Sequence, residues 1–202
     1  MMREAMTNGK HLSLEELETG LAHVAQSPKD NGELKLIVRR PANGGREILE
    51  TGELDLTVGL VGDNWKARGS NKTPDGSALP DRQLTITNAR MIALVAREPE
   101  RWQLAGDQLF VDLDLSADNL PPGTQLTIGS AIVEVTPPPH RGCKKFAERF
   151  GDEAVKFMSL PGKTEMHLRG VNAKVVQPGA IRVGDALRKI RKPAETSSTI
   201  GL

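Results

Sequence analysis

The sequence predicts a mainly β fold with a few short helices, arranged as a small barrel or a folded-over sheet. Short runs with period-two alternation of apolar residues recur along the chain. Gly, Pro and Asn turns separate them at close spacing, and helical periodicity is confined to brief segments.

The first element is helical. Ser13 and Glu16 form a Ser-x-x-Glu capping box, and Leu14, Leu17, Leu21 and Val24 then recur on one face. After Pro28 the period changes. Leu34, Leu36 and Val38 alternate with polar neighbours, Pro41 to Gly45 makes a turn, and Ile48 opens a return strand. Leu54, Leu56 and Val58 alternate again. From Asp63 to Pro80 the pattern dissolves into a long polar connection, which reads as a binding loop or a flexible excursion. A strand over Leu84–Thr87 follows, then a short helix capped by Asn88 that stops before Pro99. Leu109, Val111, Leu113 and Leu115 predict another strand, ended by Pro121-Pro122-Gly123. Two later stretches, Leu126–Ile132 and Ile181–Leu187, share an apolar-x-apolar-Gly-x-Ala-apolar frame after a Pro-Gly turn. Two similar β-hairpins explain them more simply than a duplication. Between them lies one helical segment, expected from Cys143 to about Met158.

No composition shift marks a domain boundary. The expected organisation is a helical segment over 1–30 packed on a barrel spanning 31–190, with a disordered tail over 191–202. A chain of 202 residues can bury roughly 70% of its unfolded surface, so it needs no disulfide or metal staple. Its single cysteine excludes an intramolecular disulfide and permits a reducing compartment. Met1 to Lys10 carries no apolar signal core, and the apolar run Met91–Ala96 is far short of the ~20 residues of a spanning helix. The expected location is therefore cytoplasmic, with no membrane partner. A formal net charge of +1 and the absence of tyrosine argue against a nucleic-acid surface built on a global field or on base stacking.

Chemistry concentrates in Thr136-Pro137-Pro138-Pro139-His140-Arg141-Gly142-Cys143-Lys144-Lys145-Phe146. A strand ends here, three prolines stiffen the chain, and Gly142 lets it turn sharply. Cys143 falls at the start of the expected helix, beside His140, Arg141, Lys144 and Lys145. Positive surroundings of this kind lower a thiol from ~8.5 to ~3.5–7.5, and the thiolate is the form that binds soft metals or attacks electrophiles. The bland alternative is a small buried hydrophobe. A Cys-His hydrolase needs a third group that the sequence does not declare. Zinc-ligand spacing and phosphate-binding glycine motifs are absent. Asp112 and Asp114 share a strand face that solvent explains. Lys66, Arg68 and Lys72 could grip phosphate, although a solvated loop accounts for them more simply.

The segment Gly123–Asp185 resembles the MOSC domain, named for the C-terminal region of molybdenum-cofactor sulfurases. The resemblance runs through Gly129–Val135, the Cys143 loop, Arg149-Phe150-Gly151, Leu168–Val175 and Gly179–Asp185, with Gly59-Leu60-Val61-Gly62-Asp63 as an earlier Gly-Leu-x-Gly-Asp step. It implies a MOSC-type β-barrel and a functional cysteine at Cys143, either ligating molybdenum in an oxidoreductase role or carrying sulfur as a persulfide. A non-catalytic binding module is the remaining alternative. The resemblance also implies the molybdenum cofactor (molybdopterin) as the small-molecule ligand, its phosphate held by Arg141, Lys144 and Arg169. A cysteine desulfurase or an electron-donor protein is the implied partner. Many stand-alone members carry a His- and Gly-rich stretch after Gly-Asp, whereas Asn64–Ser70 follows Asp63 here. No aminotransferase-like region accompanies the barrel, so pyridoxal phosphate is not expected on this chain.

Overall fold

The structure is a computed structural model that describes residues 11–190. Its elements in chain order are α1 (Leu14–Val24), β1 (Gly32–Arg39), β2 (Glu47–Leu49), β3 (Thr51–Asp55), β4 (Gly59–Leu60), α2 (Trp65–Arg68), β5 (Leu84–Asn88) and α3 (Ala89–Ala96). These are followed by β6 (Leu109–Asp112), β7 (Gln125–Ile128), β8 (Ala131–Pro139), α4 (Lys144–Phe150), α5 (Asp152–Met158), β9 (Val171–Gln177), β10 (Gly179–Arg182) and β11 (Ala186–Lys189). Short 3-10 turns at Pro80–Arg82 and Pro99–Ala105 complete the path. The disordered tail expected over 191–202 lies outside the described residues.

Seven strands in the order β11-β7-β8-β9-β5-β6-β1 close into a barrel through the antiparallel β1–β11 pair. All neighbours are antiparallel except β5 and β6. A parallel pair needs a crossover, and α3 with the Pro99–Ala105 turn supplies it. β2 extends the sheet beyond β1, and β10, β3 and β4 form a small second sheet.

Two apolar clusters result. Leu34, Ile37, Ile86, Leu109, Val111, Leu126, Val133 and Leu187 fill the barrel. Outside it, α1, α3, α4 and α5 cover β1 and β6 through Leu17, Met91, Phe146, Phe150 and Phe157. β6 serves both clusters by strand alternation: Leu109 and Val111 point inward, Phe110 outward. All four phenylalanines of the chain sit in the helical cluster.

Several expectations need correction. Leu34, Leu36 and Val38 do not share a face, because the β1–β6 register shifts between Leu34 and Leu36. That bulge sends Leu34 into the barrel and Val38 under the helices. β3 stops at Asp55, leaving Leu56 exposed. β6 ends at Asp112, and Asp112 pairs with Arg90 at 2.7 Å rather than standing in solvent on a strand face shared with Asp114. The two look-alike stretches differ: β7 and β8 form a hairpin, but β10 joins β3 while β11 returns to β7 and β1. β8 continues through the three prolines, which is possible because its pairing with β9 is broken between Val135 and Pro139, so no ladder donors are demanded there. The single helix expected after Cys143 is two, α4 and α5, broken at Gly151.

The caps match the reading. The Ser13–Glu16 capping box is complete, and Asn88 Oδ1 accepts the Met91 N–H at 2.9 Å. Asn88 also donates to Ser27 Oγ at 2.8 Å and the Leu113 carbonyl at 2.9 Å. Asn88→Ala removes the cap and orphans that carbonyl, so a loss of about 2–3 kcal/mol in urea unfolding is expected. A loss below about 0.5 kcal/mol would show that water replaces these bonds.

Candidate functional site

One end of the barrel carries a cleft of about 300 Å³ between α4, the β1–β2 loop and α2. Its floor comes from strand positions that point outward, Thr85 on β5 and Asn172 on β9. Cys143 lies on its wall. The residue is exposed, has extended backbone, and gives its carbonyl to the N–H groups of Phe146 and Ala147 as α4 begins. Among the described residues its sulfur makes no hydrogen bond. The strap leading to it is tied to the barrel where Asn172 Nδ2 donates to the Pro138 carbonyl at 2.9 Å.

Seven cationic side chains line the cleft and no carboxylate does: Arg40, Arg46, Arg68, Arg82, Lys145, Arg149 and Arg169. Two of them are held by buried aspartates behind the wall. Asp63 receives Arg40 Nε and Nη2, each at 2.8 Å, and also caps the Arg40 and Trp65 N–H groups. This is the structural purpose of the Gly62-Asp63 step. Asp107, fully buried, receives Arg169 Nη1 at 2.6 Å and His140 Nε2 at 2.7 Å. Arg169 also donates to the Ala105 carbonyl and stacks 4.6 Å from the Phe146 ring centroid.

The other five cations form no ion pair among the described residues. Burial, then the neighbouring Arg149 and Arg40, hold the Arg46 guanidinium below its ordinary value. Burial and Arg40 do the same to Arg68. Crowded, desolvated cations without carboxylates are costly unless an anion joins them. Two buried polar atoms of the lining, Asn64 Oδ1 and Arg169 Nε, also have no partner. An unsatisfied buried group costs about 1–3 kcal/mol, which a ligand would recover.

Burial opposes charge on Asp107, yet Arg169 and His140 prevail and bring it to about 2. Burial and Arg169 push His140 below its ordinary value, against the pull of Asp107. His140 is therefore neutral at pH 7, with its proton on Nε2 facing the carboxylate. Asp107 is the third group that the sequence did not declare. Because the Cys143 sulfur is not hydrogen-bonded to His140, no nucleophilic triad is assembled.

Of the residues singled out from the sequence, Cys143 and Arg169 meet at this cleft. Arg141 and Lys144 are exposed and do not line it; Arg141 borders a neighbouring hollow beneath the strap. Arg68, read as a solvated loop residue, lines the cleft. Lys145, read as part of the positive surroundings of the thiol, lines it too, whereas Arg40, Arg46, Arg82 and Arg149 were missed. A signal existed for Arg40, since a buried aspartate in a tight Gly-Asp turn requires a cationic partner.

A closed barrel bearing an exposed thiol in a cation-lined cleft defines the class of protein. The MOSC domain family model matches residues 73–188, and the chain belongs to that family. None of the curated proteins matches the sequence. Among solved structures, the YuaD protein of Bacillus subtilis superposes with a TM-score of 0.58 at 16% identity, covering 80% of this chain and 97% of that one. YiiM from Escherichia coli superposes with a TM-score of 0.51 at 22% identity, covering 80% of this chain and 71% of that one. YiiM from Geobacillus stearothermophilus gives a TM-score of 0.52 at 16% identity over 81% of this chain and 77% of that one. At these identities the likeness establishes the barrel fold. Among the described residues, no helix is long and apolar enough to cross a membrane.

Proposed function

We propose that this protein binds the molybdenum cofactor, with the Cys143 sulfur as a ligand of the metal. The observation that carries the reading is an exposed, unbonded thiol on the wall of a cleft lined by cations and by no carboxylate. The donor set fits the group. Arg46, Arg68, Lys145 and Arg149 would hold the pterin phosphate through charge-assisted bonds. Asn64 Oδ1 and Arg169 Nε offer an acceptor and a donor to the pterin. A soft thiolate suits a metal already held by sulfur. Bound there, the cofactor supplies two-electron redox chemistry at a metal centre. The chain orients it and keeps carboxylates away from its phosphate, and a cytoplasmic electron-donor protein belongs to the same reading.

The test is expression of the full chain in cells with and without cofactor biosynthesis, followed by metal analysis of the purified protein. Molybdenum is expected only from competent cells. Cys143→Ser is expected to retain less than about a tenth of the metal, since hydroxyl oxygen is a poor match for a soft centre. Undiminished occupancy in Cys143→Ser would remove the cysteine from the metal's coordination.

A further inference from the structure

His140 stands between two spaces. It lines the Cys143 cleft, and it also lines the hollow of about 320 Å³ beneath the strap, together with Arg141, His167 and Arg169. Its ring is held through one nitrogen only. Nε2–H donates to Asp107 at 2.7 Å, and Asp107 is fully buried just before β6. The tie from Asn172 to the Pro138 carbonyl anchors the strap two residues earlier. Nδ1 accepts no hydrogen bond from any described residue and reaches solvent, the side chain being 15% exposed. A carboxylate behind the ring and a bare nitrogen in front of it make a proton acceptor whose orientation is fixed.

The charged and titratable groups around the ring come from several elements. Asp107 precedes β6, Arg169 precedes β9, Arg40 follows β1, and Arg141 and His167 border the hollow. His167 is itself pinned through Nδ1, which donates to the Leu115 carbonyl at 2.8 Å. Burial, then Arg169 and Arg40, oppose charge on the His140 ring, and Asp107 favours it. An anion seated among the cleft cations adds a second negative charge near the ring and tips that balance toward imidazolium.

We infer that the ligand of the Cys143 cleft binds together with a proton, and that His140 Nδ1 holds that proton. The inference rests on the anion-binding reading above and adds a proton to it. In the step, the Nδ1 lone pair forms an N–H bond with a proton given up by solvent hydronium, and neutral imidazole becomes imidazolium with no redox change. Asp107 positions the ring and supplies the compensating charge. Because His140 also lines the hollow, the ring keeps a second opening when the cleft is occupied. A proton held there serves as a general acid for chemistry on the bound ligand.

The experiment uses the full chain with sulfate as the probe, since sulfate keeps both charges across the pH range and any proton taken up belongs to the protein. Calorimetry at pH 6.5 in buffers of different ionisation enthalpy counts those protons. About half a proton or more per sulfate is expected, with sulfate bound at least about threefold more tightly at pH 6 than at pH 8. His140→Gln keeps an N–H donor for Asp107 but has no titrating nitrogen. It is expected to bind sulfate with the uptake and the pH dependence both gone, whereas Cys143→Ser and His167→Gln keep both. Far-UV circular dichroism verifies the fold of each variant. In the parent protein, 15N NMR at pH 6.5 should show the His140 Nδ1 signal moving to its protonated position as sulfate saturates. Uptake that survives His140→Gln, or sulfate binding without uptake, would overturn this inference and leave the cleft reading standing. If sulfate did not bind at all, the anion-binding reading would fail and take the inference with it.

Discussion

Asp107→Ala is expected to lower the unfolding free energy by about 3–5 kcal/mol, the range for stripping one partner from a buried ion pair. Asp107 is wholly inaccessible, and the Arg169 side chain it holds is 7% exposed. Without the carboxylate, that guanidinium keeps only the Ala105 carbonyl as an acceptor, and the His140 Nε2–H has none. At roughly 2–4 °C per kcal/mol for a chain of this size, the melting temperature should fall by about 6–20 °C. A pH signature accompanies the loss. Asp107 lies at about 2 in the folded protein against an ordinary 3.8, so its contribution is complete above pH 3.8 and disappears as the pH falls toward 2. His140 is also depressed below its 6.5, so the unfolded chain takes up that proton first and stability declines as the pH drops below 6.5. Urea unfolding from pH 7 to pH 3 should show both slopes in the parent protein, with the lower one absent from Asp107→Ala. A loss under about 1 kcal/mol at pH 7 would mean that the aspartate is not what holds Arg169 and His140 in the wall.

Gly170→Ala is the second large effect. Gly170 has φ of +110° where the chain passes from Arg169 into β9, and an added Cβ would lie 2.2 Å from the Ile86 carbonyl oxygen. The obstacle is backbone of β5, next to the Ile86–Val171 pairing, so it cannot swing aside as a side chain would. Left-handed strain of about 1–3 kcal/mol and steric displacement of about 1–3 kcal/mol combine to roughly 3–5 kcal/mol. Gly123→Ala separates the two terms, because Gly123 also has positive φ, at 88°, but meets nothing within 4 Å. The alanine at position 170 should cost more than the one at 123 by about the steric share, as measured by chemical denaturation. Equal losses would show that β5 and β9 can part without penalty. The same shift would move Arg169, so weaker anion binding should accompany the lost stability.

What the sequence revealed and what it hid divide by distance along the chain. The Ser13–Glu16 box, the Asn88 cap and the stiff strap before Cys143 are local, and each was legible because partner and cause lie within a few residues. The bulge in β1 was not, since Leu34, Leu36 and Val38 alternate cleanly and only the pairing with β6 shows the slip. The stretches ending in Ile132 and Leu187 have nearly the same frame, yet one is a hairpin and the other divides between two sheets. Barrel closure decides that, and closure is a property of all seven strands together. The cleft follows the same rule. Cys143 was visible from its neighbours, but Arg40, Arg68 and Arg82 come from distant segments that only the folded barrel brings to one rim. Arg141 and Lys144 were nearer in sequence and ended outside it.

The acid-free rim has a kinetic meaning. The chain is almost neutral, at +1, with 27 lysines and arginines against 26 aspartates and glutamates. Five of the seven positive groups at this mouth have no carboxylate partner, so the rest of the chain carries a compensating negative excess. The molecule is polarised despite its small total, and its field points approaching anions toward a single opening. Capture should consequently be fast in dilute buffer and slow as salt shortens the Debye length toward ~8 Å, while the departure of a seated ligand changes far less.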